Sequence, residues 1–425
     1  MQASDQTAAP GSLPSASSSL PSALGHLKIL DLSRILAGPW ATQTLADLGA
    51  DVIKVENPNG GDDTRKWGPP FTKTADGASG DAAYFTACNR NKRSVTIDFS
   101  KPEGADIVRR LARDCDVVVE NFKVGGLTKY GLDYDSLKKD NPGLVYCSIS
   151  GFGQDGPYAH RAGYDFMIQG MGGLMSVTGQ PDAAPGAGPV KVGVAVCDLF
   201  TGMYAATAIL AAIAHRDRTG DGQHIDCSLL DSQISMLANQ ASNWLVGGMV
   251  PTRMGNNHPN VVPYRVYPTS DGHVIIACGN DSQFQRLCHG LGAPDLAADP
   301  RFASNAERIA NRDELDGTLT KLLSNRTRAD VIAILEKANV PCGPINELPD
   351  VFADPHVQAR GREIHMQRPD GTRIPTVAFP ATLGVTPASY RAAPPSLGAD
   401  TEAVLGEKLG LDGEAIAALR AKGIV

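Results

Sequence analysis

Residues 27–56 read LKILDLSRILAGPWATQTLADLGADVIKVE, two short apolar runs on either side of a helical stretch that passes through Pro39 to Leu48. Further strand-like runs follow at SVTIDF (Ser94 to Phe99), DVVVENF (Asp116 to Phe122) and LVYCSIS (Leu144 to Ser150), with a helix over Glu103 to Arg113 between two of them. Strands that alternate with helices predict an α/β fold in which a parallel sheet is covered on both faces. A long alanine-rich helix beginning at Asp198, the run HIDCSLL and a helix from Asp231 to Leu245 continue the pattern.

After Gly247 the texture changes. Pro, Asn and Gly cluster over Pro251 to Pro263, and Tyr264 to Cys278 reads as two strands joined at Ser270, Asp271 and Gly272. Helical stretches reach Asn339, a second strand pair covers Glu363 to Phe379, and Thr401 to Ala421 is helical. The expected organisation is a disordered tail over 1–25, a large parallel-sheet domain over 26–228 and 385–425, and linkers with a small α+β domain over 229–384.

Composition narrows the function. The chain has 425 residues, 46 acidic against 39 basic, and a formal charge of −7, which argues against a general nucleic-acid binder. Eight scattered cysteines without C-x-x-C pairs read as buried free thiols of a reducing compartment. The first 25 residues contain no Lys or Arg, so neither a secretory nor a transit signal is expected. No uninterrupted apolar run of about 18 residues points to a membrane span. The expected location is cytoplasmic.

Several stretches carry possible chemistry. Gly151 to Gly156 spell G-x-G-x-x-G, but Pro157 follows and no helix opens there, so a tight or mobile loop leading to Arg161, Tyr164 and Asp165 fits better than a dinucleotide site. The loop Ser33 to Pro39 offers Arg34, Gly38 and a helix N-terminus to an anionic group, although Pro39 at a first helical turn needs no ligand to explain it. The cluster Asn89 to Arg93, with Lys123, Lys129 and Arg161 near other strand ends, reads singly as solvated charge and collectively as a holder of a phosphorylated cofactor. Asp198 reads as a helix cap. The same free N–H groups favour its ionised carboxylate, which can attack an acyl carbon. Cys197 beside it reads as packing rather than as a nucleophile. No metal-binding or Walker pattern occurs.

The residues quoted so far, together with YFTACNRNKRSVTIDF, DVVVENFKVGGLTKYGL, YCSISGFGQDGPYAHRAGYD, VKVGVAVCDLFTGMYAATAILAA and ANVPCGPIN, resemble family III CoA-transferases in order and spacing from Leu27 to Val425. Within that family GDDTRKWGPPF, SNWLVGG and the run Gly255 to Tyr264 are most similar to the succinyl-CoA–glutarate, or dicarboxylate, members. The resemblance implies a Rossmann-like large domain, a smaller α+β domain and an interlocked homodimer. It also implies an acyl-CoA thioester and free carboxylates as substrates, with no permanently bound cofactor, metal, nucleic acid or membrane partner.

By the same resemblance Asp198 is the nucleophile, passing through an aspartyl anhydride and an aspartyl-CoA thioester. Contacts to CoA fall to Arg34, Ile35, Leu36, Ala37, Asn57, Ile97, Asn121, Phe122, Lys129, Tyr130 and Arg161, with Asp165 near the nucleophile. Leu36 stands where the formyl-CoA–oxalate enzymes have a glutamine, and their glycine-rich flap is absent, which disfavours oxalate. A dicarboxylate needs a cation for its far end, and Arg65, Arg161 and Arg265 are the expected choices. The alternatives are an α-methylacyl-CoA racemase, which needs a histidine where Tyr164 stands, and a non-catalytic CoA binder.

Overall fold

The computed structural model describes residues 22–425. Most of the expected tail, 1–21, lies outside them. Ser22 to Gly25 form a turn, in which the Leu24 N–H and the Ser22 hydroxyl both donate to the Leu48 carbonyl (3.0 and 3.1 Å). The chain divides into two compact units. One holds the described residues up to Ser150 with Gly202–Cys227 and Ile364–Val425, and the other holds Gly151–Thr201 and Ser228–Glu363.

The first unit is built on the expected strands. β1 (Lys28–Asp31), α1 (Ala37–Asp47), β2 (Asp51–Glu56), β3 (Lys92–Thr96), α2 (Pro102–Arg113), β4 (Val117–Glu120), β5 (Val145–Ser150) and β6 (His224–Ser228) form a six-stranded sheet in the order β3-β2-β1-β4-β5-β6. The pairs β1–β2, β1–β4, β2–β3 and β4–β5 are parallel. The sheet core joins Leu30, Ile53, Val95, Val118 and Tyr146 to Ile107, Val108 and Leu111 of α2. Two C-terminal helices, Thr401–Leu409 and Gly413–Ala421, add Val404, Leu405 and Ile416 to it. They part at Gly410 (φ +66°), where the sequence pattern read as one helix. A left-handed residue ends a helix, and glycine adopts it without strain.

One strand is displaced from its expected place. β3 runs over Lys92–Thr96 rather than Ser94–Phe99, because Lys92 enters the sheet fully buried, its ammonium 3.1 Å from Asp31. Patterning by hydrophobicity leaves a lysine outside a strand, and only a partner carboxylate makes its burial tolerable.

In the second unit α3 (Asp165–Met171) precedes α4 (Val196–Thr219), whose residues from Gly202 onward belong to the first. The expected helix 231–245 is two, α5 (Leu229–Met236) and α6 (Ala238–Gly247), broken where Ala238 takes φ +45°. A separate core then forms around β7 (Tyr264–Thr269), β8 (Gly272–Ala277) and β9 (Cys342–Pro344), where Tyr267, Val274 and Ile276 meet Phe284, Leu287, Leu315, Leu319 and Leu335.

Among the described residues one helix, α4, is long and apolar enough to cross a membrane. Its buried side chains include Ala205, Ala206, Ile209, Ala212 and Ile213, while Phe200, Met203, Tyr204 and Leu210 are exposed. Gly202 lets α4 approach α1 closely, since a Cβ there would lie 2.7 Å from the Ala37 carbonyl oxygen and 3.2 Å from Trp40.

Candidate active site

The loop between β1 and α1 is held in an uncommon shape. Ile35 has φ +71°, a left-handed conformation that a β-branched residue adopts only under constraint. The constraint is Asp62, whose two carboxylate oxygens accept the Ile35 N–H (3.2 and 3.3 Å). Asp62 in turn pairs with Lys54 at 3.0 Å, both side chains wholly buried, and the Lys54 ammonium also donates to the Ser33 carbonyl (2.8 Å). Burial opposes the charge on each. The Asp62 and Asp31 carboxylates nevertheless keep Lys54 above its ordinary pKa, and Lys54 keeps Asp62 below its own. A buried ion pair therefore grips the loop at two points.

Above this pair lies a cavity of about 210 Å³ lined by, among others, Arg34, Asn57, Ile97, Phe99 and Phe122. It sits beyond the carboxyl ends of the strands, where the chain winds one way from β1 and the other from β4, the place where doubly wound sheets bind ligands. Asn121 fixes Arg34 through both backbone groups, accepting its N–H at 2.8 Å and donating to its carbonyl at 2.7 Å. The guanidinium pairs with Asp63 (2.9 Å) and lies 5.5 Å from the Phe122 ring centre. Phe122 is set by its N–H donating to Glu120 (2.8 Å), and Phe99 meets Phe122 and Tyr130 edge-on at 5.6 and 5.7 Å. Lys129 rests 4.7 Å from the Tyr130 ring centre.

Ten of the expected CoA contacts thus lie in the first unit. Arg34, Asn57, Ile97 and Phe122 line the cavity; Ile35 and Asn121 shape its loop; Tyr130 and Lys129 adjoin it through Phe99. Leu36 and Ala37 are buried at the start of α1. Sequence reasoning missed Lys54, Asp62 and Phe99. The acidic pair following Gly60-Gly61 was the available signal for Asp62, while a lysine inside a strand gave none.

Other basic groups hold the fold. In the cluster read as a phosphate holder, Arg90 forms a two-bond pair with Asp47 (2.6 and 2.9 Å), Lys92 pairs with Asp31, and Arg93 pairs with Asp51 (2.6 Å) and Glu407 (2.8 Å). Each of these charges is matched by a carboxylate of the protein, which leaves none to spare for a phosphate. Glu56, at the end of β2 where a ribose carboxylate would stand, is engaged by Arg65 (2.6 and 2.8 Å) and the Ser94 hydroxyl. Arg65, 5 % exposed, also pairs with Asp81 and stacks on Phe85. Arg265 pairs with Asp316 at 2.9 Å. Arg65 is closed to a substrate carboxylate, and the charge of Arg265, whose side chain is 32 % exposed, is already matched by Asp316.

The second unit places Asp198 in the first turn of α4, two residues beyond its start. It is not the cap. That function falls to Asp165 of α3, whose Oδ1 accepts the Cys197 N–H at 2.8 Å while Oδ2 accepts from the Gln169 amide at 2.7 Å. Gln169 Oε1 receives the Val192 N–H (2.8 Å), which ties the segment before α4 to α3. A cap supplied from another helix leaves the Asp198 carboxylate free of that duty. Burial and the neighbouring Asp165 charge push its pKa up to about 7, the reverse of the ionised carboxylate expected from the helix dipole. Cys197 is fully buried with its thiol donating to Gln233 Oε1 (3.2 Å), and burial pushes that thiol up to about 12. It is a packing group, not a thiolate. Arg161 is exposed on the loop before α3, and Tyr164 is 66 % exposed.

An open α/β sheet with a cavity at its switch point defines a doubly wound protein of the class that binds ligands beyond the carboxyl ends of its strands. Comparison gives the family. The model of CoA-transferase family III matches residues 24–401. The chain is 53% identical over 384 residues to the succinate–glutarate CoA-transferase of Agrobacterium fabrum, covering 90% of this chain and 95% of that one. It is 42% identical to the succinyl-CoA:glutarate CoA-transferase of Mus musculus, covering 95% and 90%. The crystal structure of a CAIB/BAIF family protein from Brucella suis superposes with a TM-score of 0.81 at 53% identity, covering 91% and 99%. The chain belongs to CoA-transferase family III.

Proposed function

We propose that this CoA-transferase moves CoA from succinyl-CoA to glutarate or a closely related dicarboxylate, with Asp198 as nucleophile. The observation that carries the reading is the Asp198 carboxyl, partly buried, relieved of capping by Asp165 and pushed up to about 7 by burial and the Asp165 charge. Relatives bearing the succinate–glutarate activity in their names support the substrate pair. The carboxylate attacks the thioester carbonyl, forming an aspartyl–acyl anhydride and expelling CoA thiolate. The thiolate then attacks the aspartyl carbonyl, forming an aspartyl-CoA thioester and releasing succinate. Glutarate attacks that thioester to give an anhydride and free thiolate, which returns to the glutaryl carbonyl and frees Asp198. Each step exchanges one carboxylate or thiolate for another. The cavity beside Arg34 and Phe122, in a Rossmann-like domain, receives CoA.

The working molecule in this reading is a cytoplasmic homodimer. Phe200, Met203, Tyr204 and Leu210 recur at helical spacing on the exposed face of α4, and Trp244, Leu245 and Val246 of α6 are 54, 79 and 89 % exposed; apolar faces of this size favour a second copy of the chain. Eight free cysteines fit a reducing compartment. The test is incubation with succinyl-CoA and glutarate followed by mass measurement. Glutaryl-CoA and succinate are expected in equal amounts; hydrolysis alone, or α-proton exchange on a 2-methylacyl-CoA, refutes the transfer.

A further inference from the structure

Of the three arginines expected for a distal carboxylate, Arg65 and Arg265 are committed to acids of the protein. Arg161 is not. Among the described residues no carboxylate pairs with it, and the only hydrogen-bond partner of its guanidinium is the weak acceptor Met171 Sδ at 3.9 Å. Its guanidinium is nonetheless held in place, 5.1 Å from the Phe152 ring centre and 4.7 Å from that of Tyr158, two rings that meet edge-on at 5.6 Å. Stacking on aromatic faces fixes the plane of an arginine without consuming its N–H donors.

The loop that carries this arrangement is itself closed. A Cβ at Gly151 would lie 2.5 Å from the Gly163 Cα, and one at Gly163 would lie 2.3 Å from the Gly151 Cα, so the two strands of the neck touch as only glycines permit. The Gly151 carbonyl is anchored by the Leu230 N–H (3.1 Å). Immediately beyond the neck comes Asp165, which caps α4 next to Asp198. An oriented, unpaired cation and the nucleophile are thus carried by segments joined through the Cys197 and Val192 N–H groups, in one unit.

We propose that Arg161 holds the distal carboxylate of the dicarboxylate substrate and is the residue that makes the enzyme select diacids. This rests on the transferase reading above. The experiment compares glutarate with glutaramate, its near-isostere with an uncharged far end, as acceptors for native protein and Arg161→Gln. Native protein is expected to favour glutarate in kcat/KM by roughly tenfold to a hundredfold, and Arg161→Gln to favour neither. Arg161→Lys restores part of the preference, since charge returns without the planar fork; it also provides the reading if Arg161→Gln does not fold.

The resemblance counts Arg161 among the CoA contacts; with Arg161 serving the distal carboxylate instead, inhibition by free CoA, which has no acyl carboxylate, is expected to be unchanged in both variants. A preference for glutarate that survives in Arg161→Gln or is undiminished in Arg161→Lys, or a tenfold weaker inhibition by CoA with the preference intact, overturns the assignment and places Arg161 elsewhere. Native protein that transfers CoA to no acid overturns the reading beneath it instead.

Discussion

The two regions singled out handle charge in opposite ways. Around the cavity of the first unit three buried acids face bases, Asp62 with Lys54, Asp31 with Lys92 and Glu56 with Arg65, while Glu120, which accepts the Phe122 N–H and faces no base, is pushed up to about 7 by burial. At the start of α4 two acids, Asp165 and Asp198, face each other, and the Asp198 carboxyl is raised rather than lowered. Opposite pairs stiffen a loop and hold Ile35 in a costly conformation; adjacent like charges store reactivity in one carboxyl. The contrast separates charges neutralised on the spot, which fix backbone, from a raised carboxyl such as Asp198, the kind of group that active sites use.

The sharpest way to break this contrast is to remove the unpaired acid. Asp198→Ala and Asp198→Asn are expected to lower CoA transfer by at least about three orders of magnitude. Product mass would record that loss, with the circular dichroism spectrum unchanged. Near-native turnover in either variant would sink the nucleophile assignment. Removing a paired charge should act on the fold. Lys54→Met strands Asp62 in the core and is expected to cost about 3 to 5 kcal/mol in urea unfolding, because the penalty of a lone buried charge replaces a satisfied pair.

The pH profile sharpens the comparison further. Only ionised Asp198 attacks, so kcat/KM for the acyl-CoA is expected to fall as pH drops through about 7. Asp165→Asn keeps an acceptor for the Cys197 N–H but removes the like charge, so the falling limb should move to lower pH; a limb that stays put would show that burial alone sets it.

The smallest effects separate cap from nucleophile. Asp165→Ala is expected to destabilise by about 1 kcal/mol through loss of the cap. Asp198→Asn should not. A carboxyl raised in the folded state contributes stability at low pH that is lost as pH rises from its ordinary value toward 7. At pH 8 the asparagine variant should therefore match or exceed native protein by about 1 kcal/mol in urea unfolding.

Much of the sheet was legible because its signals are local. The runs around Ile29, Val52, Val118 and Tyr146 are apolar, short and bounded by turn residues, and the structure places them as neighbours in one sheet. Lys92 and Lys54 were illegible, since nothing adjacent in sequence announces the Asp31 and Asp62 that make their burial possible. Asp198 shows both sides: its neighbourhood to a helix start was evident, but the helix begins two residues earlier because its cap arrives from Asp165, 33 positions away. The resemblance named Asp165 as a neighbour of the nucleophile; spacing alone could not.

By itself the sequence determined the alternation of strands and helices, the family and the short set of acids and arginines worth testing, because hydrophobic period, turn residues and motif order are properties of neighbouring residues. Tertiary structure alone decided which charges are spent. Arg65 and Arg265 are consumed by Glu56, Asp81 and Asp316, and Arg161 is left stacked and open. The physical reason is distance: a charge is neutralised by whatever lies within a few ångströms, and for buried groups those partners come from far along the chain.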